Sequence, residues 1–394
     1  MMNRLVYFSC LVAVLTCFIG IAVSAQAASY AYMGNFGMNT VSVVDTATNM
    51  VTATIPVDNW PTGVAVNQAG TRVFVAEGSE IKVIDTGANS IIGTISTTSA
   101  THGIAINSAT TKLYASTFGD VIVVDTLTRS IVATIPITAQ PWHTVMGIAI
   151  NRAGTRLYAM IPEENLVAVI DTSTNTIIGT VSVGISPIGV AMSPSGTRAY
   201  VVNYGEPISS ATDKPGTVSV IDTSAGAVVA TIPVGNNPEN VAVNPAGTRV
   251  YVTNWLSDTV SVIDTATNTV VSTIPVTDGM PRSVAIDESG AHIYVGTTAS
   301  QTVSVIDAAS NTVVARISGL IGVNSIAIGP DESLGGISKR TSIQKVVCTN
   351  LSTRQSVIIQ GESVALTGSW NCEDAGLAVR QGDSINMTVK GLSF

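Results

Sequence analysis

Charge is scarce in this chain. Lys, Arg, Asp and Glu make up 11% of 394 residues, and their balance of −8 gives nucleic acid or anionic lipid no general electrostatic purchase. Catalytic signatures are missing too. No Gly-x-Ser-x-Gly, His-Glu-x-x-His or phosphate-cradling glycine loop occurs, and no Cys-x-x-Cys-His run for covalent haem. There are only three histidines, none after residue 292, and no segment beyond the first thirty residues is long and apolar enough to span a bilayer. What the chain does have is a 46% hydrophobic set, far too much for a disordered polyampholyte, and length enough for two or three domains.

Residues 1–27 read as a signal peptide. Arg4 is the only charge, Leu5–Ala22 is apolar, and Ala25-Gln26-Ala27 supplies small residues for cleavage. The mature protein is expected to be extracytoplasmic: periplasmic, on the cell surface or secreted. Removal of the segment takes Cys10 and Cys17 with it, leaving Cys348 and Cys372 as an even pair in an oxidising compartment, where one disulfide is expected.

Self-similarity organises the middle of the chain. A Val-Ser-Val-Ile-Asp-Thr type run recurs with its aspartate at Asp45, Asp85, Asp125, Asp171, Asp222, Asp264 and Asp307. Each copy holds four β-patterned runs, A to D, and none reads as helix. Run A carries an alanine in every copy: Ala65, Ala105, Ala149, Ala191, Ala242, Ala285 and Ala327. A methyl at a fixed place suits sheets converging on a crowded axis. Run B carries Tyr32, Phe74, Tyr114, Tyr158, Tyr200, Tyr251 and Tyr294, expected in the core. The aspartates precede Thr-Ala-Thr-Asn type turns and are expected to serve the turn, not catalysis. Pro56, Pro136, Pro233 and Pro275 in run D mark an edge strand.

Four antiparallel strands repeated seven times predict an all-β, seven-bladed β-propeller over residues 28–330. The first copy starts at strand B (Tyr30–Asn35), and a surplus strand A follows the last at Ser325–Gly329, so the two termini are expected to share and close one blade. Val250-Tyr251-Val252-Thr253-Asn254, with Pro245–Arg249 before it and Thr259–Asn268 after it, resembles the YVTN-repeat β-propeller family over about residues 30–330. The resemblance implies an exported or surface propeller whose ligand the family does not specify. The literal Tyr-Val-Thr-Asn occurs once; the other copies match by pattern.

In such a ring the D–A and B–C connections share one face, and the A–B and C–D connections the other. The second face carries a basic column of Arg72, Lys112, Arg156, Arg198 and Arg249, in which His292 is expected to stand in for arginine. The first collects Trp60, Trp142 and Trp255 with Phe36, Phe118 and Tyr204, which suggests a recognition surface. Its channel mouth is expected to be lined by Thr62, His102, Met146, Ile188, Glu239, Arg282 and Asn324, an apolar arc beside a polar one. His102 and His143 sit on adjacent D–A loops as candidates for a metal, short of a third ligand. Longer insertions, around Gln140–Val145 and across Tyr204–Gly216, fall on the same face, the second expected as a lid or partner contact.

The period ends at Pro330. Residues 331–342 read as a linker, and 343–394 as a small β module held by Cys348 and Cys372, with strands expected at 343–349, 355–360, 363–370 and 384–390 and a loop from Glu373 to Gly382. Three functions compete. The first is an exported binding or scaffold protein for an envelope or extracellular protein, a glycan or a small ligand, without a cofactor. The second is a hydrolase resembling the propeller lactonases, with Glu239, Arg282, His102 and His143 at the mouth. The third is a metal-binding or redox-accessory propeller using the histidines.

Overall fold

A computed structural model describes residues 29–140, 142–205 and 214–329 in full, and the strands Val346–Asn350, Ser356–Ile359 and Trp370–Asp374 by their backbone. The expected signal segment, the expected linker and residues 206–213 of the expected lid lie outside the described residues. Seven four-stranded antiparallel sheets form the propeller, each ordered A-B-C-D from axis to rim. From blade 1 to blade 7, strand A is Val323–Ile328, Pro61–Val66, Ile104–Ile106, Ile148–Ile150, Pro187–Met192, Pro238–Val243 and Pro281–Ile286. Strand B is Tyr30–Asn35, Arg72–Glu77, Lys112–Ser116, Arg156–Ile161, Arg198–Asn203, Arg249–Asn254 and His292–Thr297. Strand C is Thr40–Asp45, Glu80–Asp85, Asp120–Asp125, Leu166–Asp171, Pro215–Asp222, Thr259–Asp264 and Thr302–Asp307. Strand D is Met50–Pro56, Ser90–Ser96, Ser130–Pro136, Thr176–Ser182, Ala227–Asn236, Thr269–Pro275 and Thr312–Ser318. Val323–Ile328 pairs with Tyr30–Asn35, so both ends of the propeller build blade 1 and no blade is left open.

Register explains the two conserved columns of the repeat. Every strand-A alanine is the direct cross-strand partner of the strand-B aromatic of its own blade, from Ala65 opposite Phe74 to Ala327 opposite Tyr32. A methyl fits opposite a ring, and a larger side chain there would compete with it for the same space. All seven aromatics are buried, between hydrophobic clusters that each draw on neighbouring blades. The Tyr294 hydroxyl donates to Thr46 O in the next blade at 3.3 Å, stapling blade 7 to blade 1.

The aspartate column has the structural role read from sequence. One carboxylate oxygen accepts turn N–H groups, as Asp264 does from Ala266 and Thr267 at 3.0 Å. The other accepts the arginine that enters strand B, as in Arg72–Asp85 at 2.6 Å and Arg156–Asp171 and Arg249–Asp264 at 2.5 Å; Arg198–Asp222 repeats the pair. His292 holds the arginine position but turns to Asp287, 2.9 Å away. In the tail, Val346–Asn350 is flanked by Ser356–Ile359 and Trp370–Asp374, and the register sets Cys348 opposite Cys372. Glu373, expected to open a loop, lies in the last of these strands, because pairing with Val346–Asn350 fixes its bounds rather than local composition.

Candidate functional site

The residues expected at the mouth share one backbone feature. Thr62, Ile188, Glu239, Arg282 and Asn324 are each skipped by the strand A–strand B register, making them β-bulge residues at the first-face end of strand A. A bulge re-aims one side chain out of the alternating pattern, so this column is free to vary while the sheet beneath it repeats. His102 and Met146 occupy the same place before the shorter inner strands, donating from N–H to Ser116 O at 2.9 Å and to Met160 O at 3.1 Å. Just below, the blades are stitched together around the axis. Thr62 Oγ1 donates to Thr101 O, Ser116 Oγ to Met146 O, Thr253 Oγ1 to Arg282 O and Ser283 Oγ to Val323 O, at 2.6–3.0 Å, and Val64 N donates to Ser325 Oγ at 2.9 Å.

The bulge side chains differ in what they offer. The Thr62 hydroxyl is committed to backbone carbonyls. Ile188 is buried, and Met146 packs against the same apolar cluster between blades 5 and 6. Arg282 is exposed and stands 3.8 Å from Glu239, whose carboxyl is held above the usual range by burial, an effect the arginine only partly offsets. Asn324 is half-buried.

Between blades 3 and 4 the two histidines meet different fates. His143 Nδ1 lies 3.0 Å from Glu164 Oε1, which also accepts the Thr138 hydroxyl at 2.7 Å; these bonds hold the Glu164 carboxyl below its ordinary value. His102 packs edge-on to Phe118 with ring centroids 5.1 Å apart, and its Nε2 is buried without a hydrogen bond. Burial pushes its imidazole toward the neutral form, opposed by the nearby Glu163 carboxylate. Among the described residues neither histidine belongs to a set of three ligand-bearing side chains close enough for one ion. The Gln140–Val145 insertion is tied down here, by a bridge from Thr144 to Phe118 and by Thr144 N donating to Glu163 at 3.3 Å.

Around the mouth, large apolar side chains stand out into solvent. Trp60 is 61% exposed and stacks on Phe36 with centroids 5.4 Å apart; Trp142 is 70% exposed. Phe118, Met38, Ile185 and Met280 are exposed on loops of the same face. The opposite face offers Leu127 in one C–D turn and Met50 where a strand D begins. Two expected members of the aromatic surface do not serve it as open rings. Tyr204 is only 4% exposed, drawn into the cluster between blades 5 and 6, and Trp255 is half-buried with Nε1 donating to Thr298 Oγ1 at 3.3 Å.

The sequence model of the family described as Lactonase, 7-bladed beta-propeller, matches residues 216–314. That is about two and a half blades. No curated protein matches. Among solved structures the chain is similar to Kuenenia stuttgartiensis hydrazine synthase, at 20% identity over 76% of this chain and 95% of that one, TM-score 0.61. It is similar to a functionally unknown protein from Desulfotomaculum acetoxidans DSM 771, at 17% identity over 76% and 98%, TM-score 0.64. A third is the dihydro-heme d1 dehydrogenase NirN in complex with DHE, at 15% identity over 74% and 64%, TM-score 0.57. Likeness at these identities extends to the fold alone.

Two charged groups escaped the sequence reading. Glu163 and Glu164 sit in a 3-10 turn of the blade 4 B–C loop. In blade 2, Glu77 and Lys82 are buried where blades 1, 5 and 6 carry Asn35, Asn203 and Asn254 above Ser42, Ser219 and Ser261. Lys82 Nζ lies 2.5 Å from Asp58, 2.6 Å from Glu80 and 3.3 Å from Glu77, and Glu77 Oε2 also accepts the Asp58 and Asn59 N–H groups of the loop carrying Trp60. Asp58, Glu77 and Glu80 have the spacing of a cation site, and the lysine ammonium already supplies the cation. The clue was available in sequence: blade 2 alone places charged residues at both of these positions.

Proposed function

We propose that the protein is an exported β-propeller that binds an envelope or extracellular partner through its D–A/B–C face, with the bulge residues at the mouth setting selectivity. One observation carries this: every exposed aromatic side chain among the described propeller residues lies on that face. Rigidly held rings give large contact area at low entropic cost, which suits a protein or glycan partner. Trp60 is fixed twice over, by its stack on Phe36 and by the Glu77 bonds to the two residues before it. Export is inferred from the layout of residues 1–27. Capture of partners from the native envelope fraction tests the proposal. Trp60→Ala with Trp142→Ala should abolish capture while the circular dichroism spectrum stays unchanged; undiminished capture would refute the assignment.

A lactonase-like hydrolase is the second reading. It is favoured by the family match over residues 216–314 and by Glu239, a carboxyl kept protonated more readily than usual beside an arginine. Such a pair suits proton donation near a developing oxyanion. Turnover across a lactone panel, lost in Glu239→Gln, would support it; no turnover by the wild-type protein would remove it.

A further inference from the structure

A cavity of about 300 Å³ lies away from the mouth, between blades 4 and 5 on the side of the A–B and C–D turns. Its floor is Gly179 of strand D in blade 4, where an added Cβ would meet nothing within 4 Å, and its rim is Gly226 in the C–D turn of blade 5. The turn position of Gly226 is left-handed in every blade and is filled by Asn49, Asn89, Asn175, Asn268 and Asn311 elsewhere, and by Arg129 in blade 3. Arginine is a poor occupant of that backbone region, so its presence needs a reason.

The groove between blades 2 and 3 supplies it. There Gly93 takes the place of Gly179, opposite Val83 as Gly179 is opposite Val169. The Arg129 side chain crosses from blade 3, lays its guanidinium where a Gly93 Cβ would be, and donates through Nη1 to Ile92 O at 2.6 Å. Ile92 is the bulged residue of its strand, skipped by the register between Gly93 and Ile91, and Ile178 is skipped in the same way in blade 4. The walls correspond as well: the Arg72–Asp85 pair and Phe74 at one groove match the Arg156–Asp171 pair and Tyr158 at the other. Alanine or serine fills the floor position in the remaining five blades. The protein therefore contains two equivalent notches, one plugged by its own guanidinium and one open.

We propose that the open groove between blades 4 and 5 docks an arginine side chain carried by a partner polypeptide. Arg129 shows how the guest is held: the backbone stays outside, the aliphatic stem crosses the lip, and the guanidinium reaches a bulge carbonyl. A net charge of −8 favours a cationic guest. A free amino acid would bring a carboxylate and an ammonium for which the lining, whose one cation is already paired with Asp171, has no answer. This site is independent of the aromatic face.

The test is titration of the isotope-labelled full chain with the capped tripeptide acetyl-Gly-Arg-Gly-amide, following the amide signals of Gly179 and Gly226. Saturable shifts are expected, weakened about tenfold when citrulline or lysine replaces the arginine, since a charge-assisted bond and the planar fork are lost. Gly179→Val, whose Cβ meets nothing within 4 Å, and Gly226→Arg, which plugs the groove as Arg129 does its own, should each remove the shifts. Arg129→Ala should open a second site reported by Gly93. Absence of saturable shifts, shifts that survive both plugging variants, equal binding of the citrulline peptide, or tighter binding of free L-arginine would each overturn the proposal.

Discussion

Lys82→Ser would leave the Glu77 carboxylate fully buried with its ammonium gone and only the Asp58 and Asn59 N–H groups beside it. Removing one member of a buried ion pair costs about 3–5 kcal/mol, and the two remaining donors argue for the low end, about 3 kcal/mol. At about 2 °C per kcal/mol for a domain of this size, the melting temperature should fall by roughly 6 °C. The informative comparison is the triple variant Glu77→Asn, Glu80→Thr, Lys82→Ser, which copies the Asn254, Thr259 and Ser261 arrangement of blade 6. It should recover most of the loss, because amide and hydroxyls satisfy one another without any charge to desolvate. Burial already raises the Glu77 pKa in the wild-type chain, and the single variant should raise it further. A carboxyl whose folded pKa lies above its unfolded one stabilises the fold on protonation, so the deficit of Lys82→Ser should shrink as pH falls from 8 toward 5. Urea denaturation at several pH values reads all of this. It belongs in chelating buffer, since three carboxylates within 4.8 Å of one another would be free to take up a divalent ion once the lysine is gone. A triple variant no better than the single one, or a deficit that grows toward low pH, would refute the reasoning.

Two further outcomes follow from the repeat and the tail. Asp171 is held down to about 2 by hydrogen bonds from Ser173, then by Arg156, and Asp222, Asp264 and Asp307 are shifted the same way. Depressed carboxyls contribute stability that is complete above their unfolded value near 3.8 and lost as pH falls toward about 2; acid unfolding followed by circular dichroism should therefore occur in that window, and Arg156→Met should move its midpoint upward. With Cys348 opposite Cys372 in adjacent strands, a disulfide there would contribute roughly 3 kcal/mol to a small module, so reduction followed by limited proteolysis should cut within 341–394 before the propeller, and the reverse order would remove the disulfide from the account.

Blade number, strand order and closure were legible because each rests on a pattern confined to one repeat: alternation, a turn aspartate, an alanine opposite an aromatic. The local meaning of a residue failed where a neighbouring blade decides it. Tyr204 lies beyond strand B in a loop, which suggests exposure, yet blades 5 and 6 close over its ring. His102 and His143 sit on adjacent loops, which suggests a shared ligand, yet Phe118 takes one and Glu164 the other. Glu77 and Lys82 were readable only as departures from columns whose members pair within a blade.

The groove between blades 4 and 5 demanded more still, because strand D of one blade faces the C–D turn of the next, so its floor and rim belong to different repeats. Gly179 and Gly226 are 47 residues apart and unremarkable alone; only the pairing of Gly93 with Arg129 gives them meaning. A repeat protein thus carries its own controls. Where seven copies share a framework, a residue that breaks its column has been released from the framework's demands, and the copy that keeps or fills the gap states what the gap can hold. By that logic the bulge column at the mouth, with a different residue in every blade and an invariant alanine three positions on, is where this propeller is free to specify a ligand without disturbing its sheets.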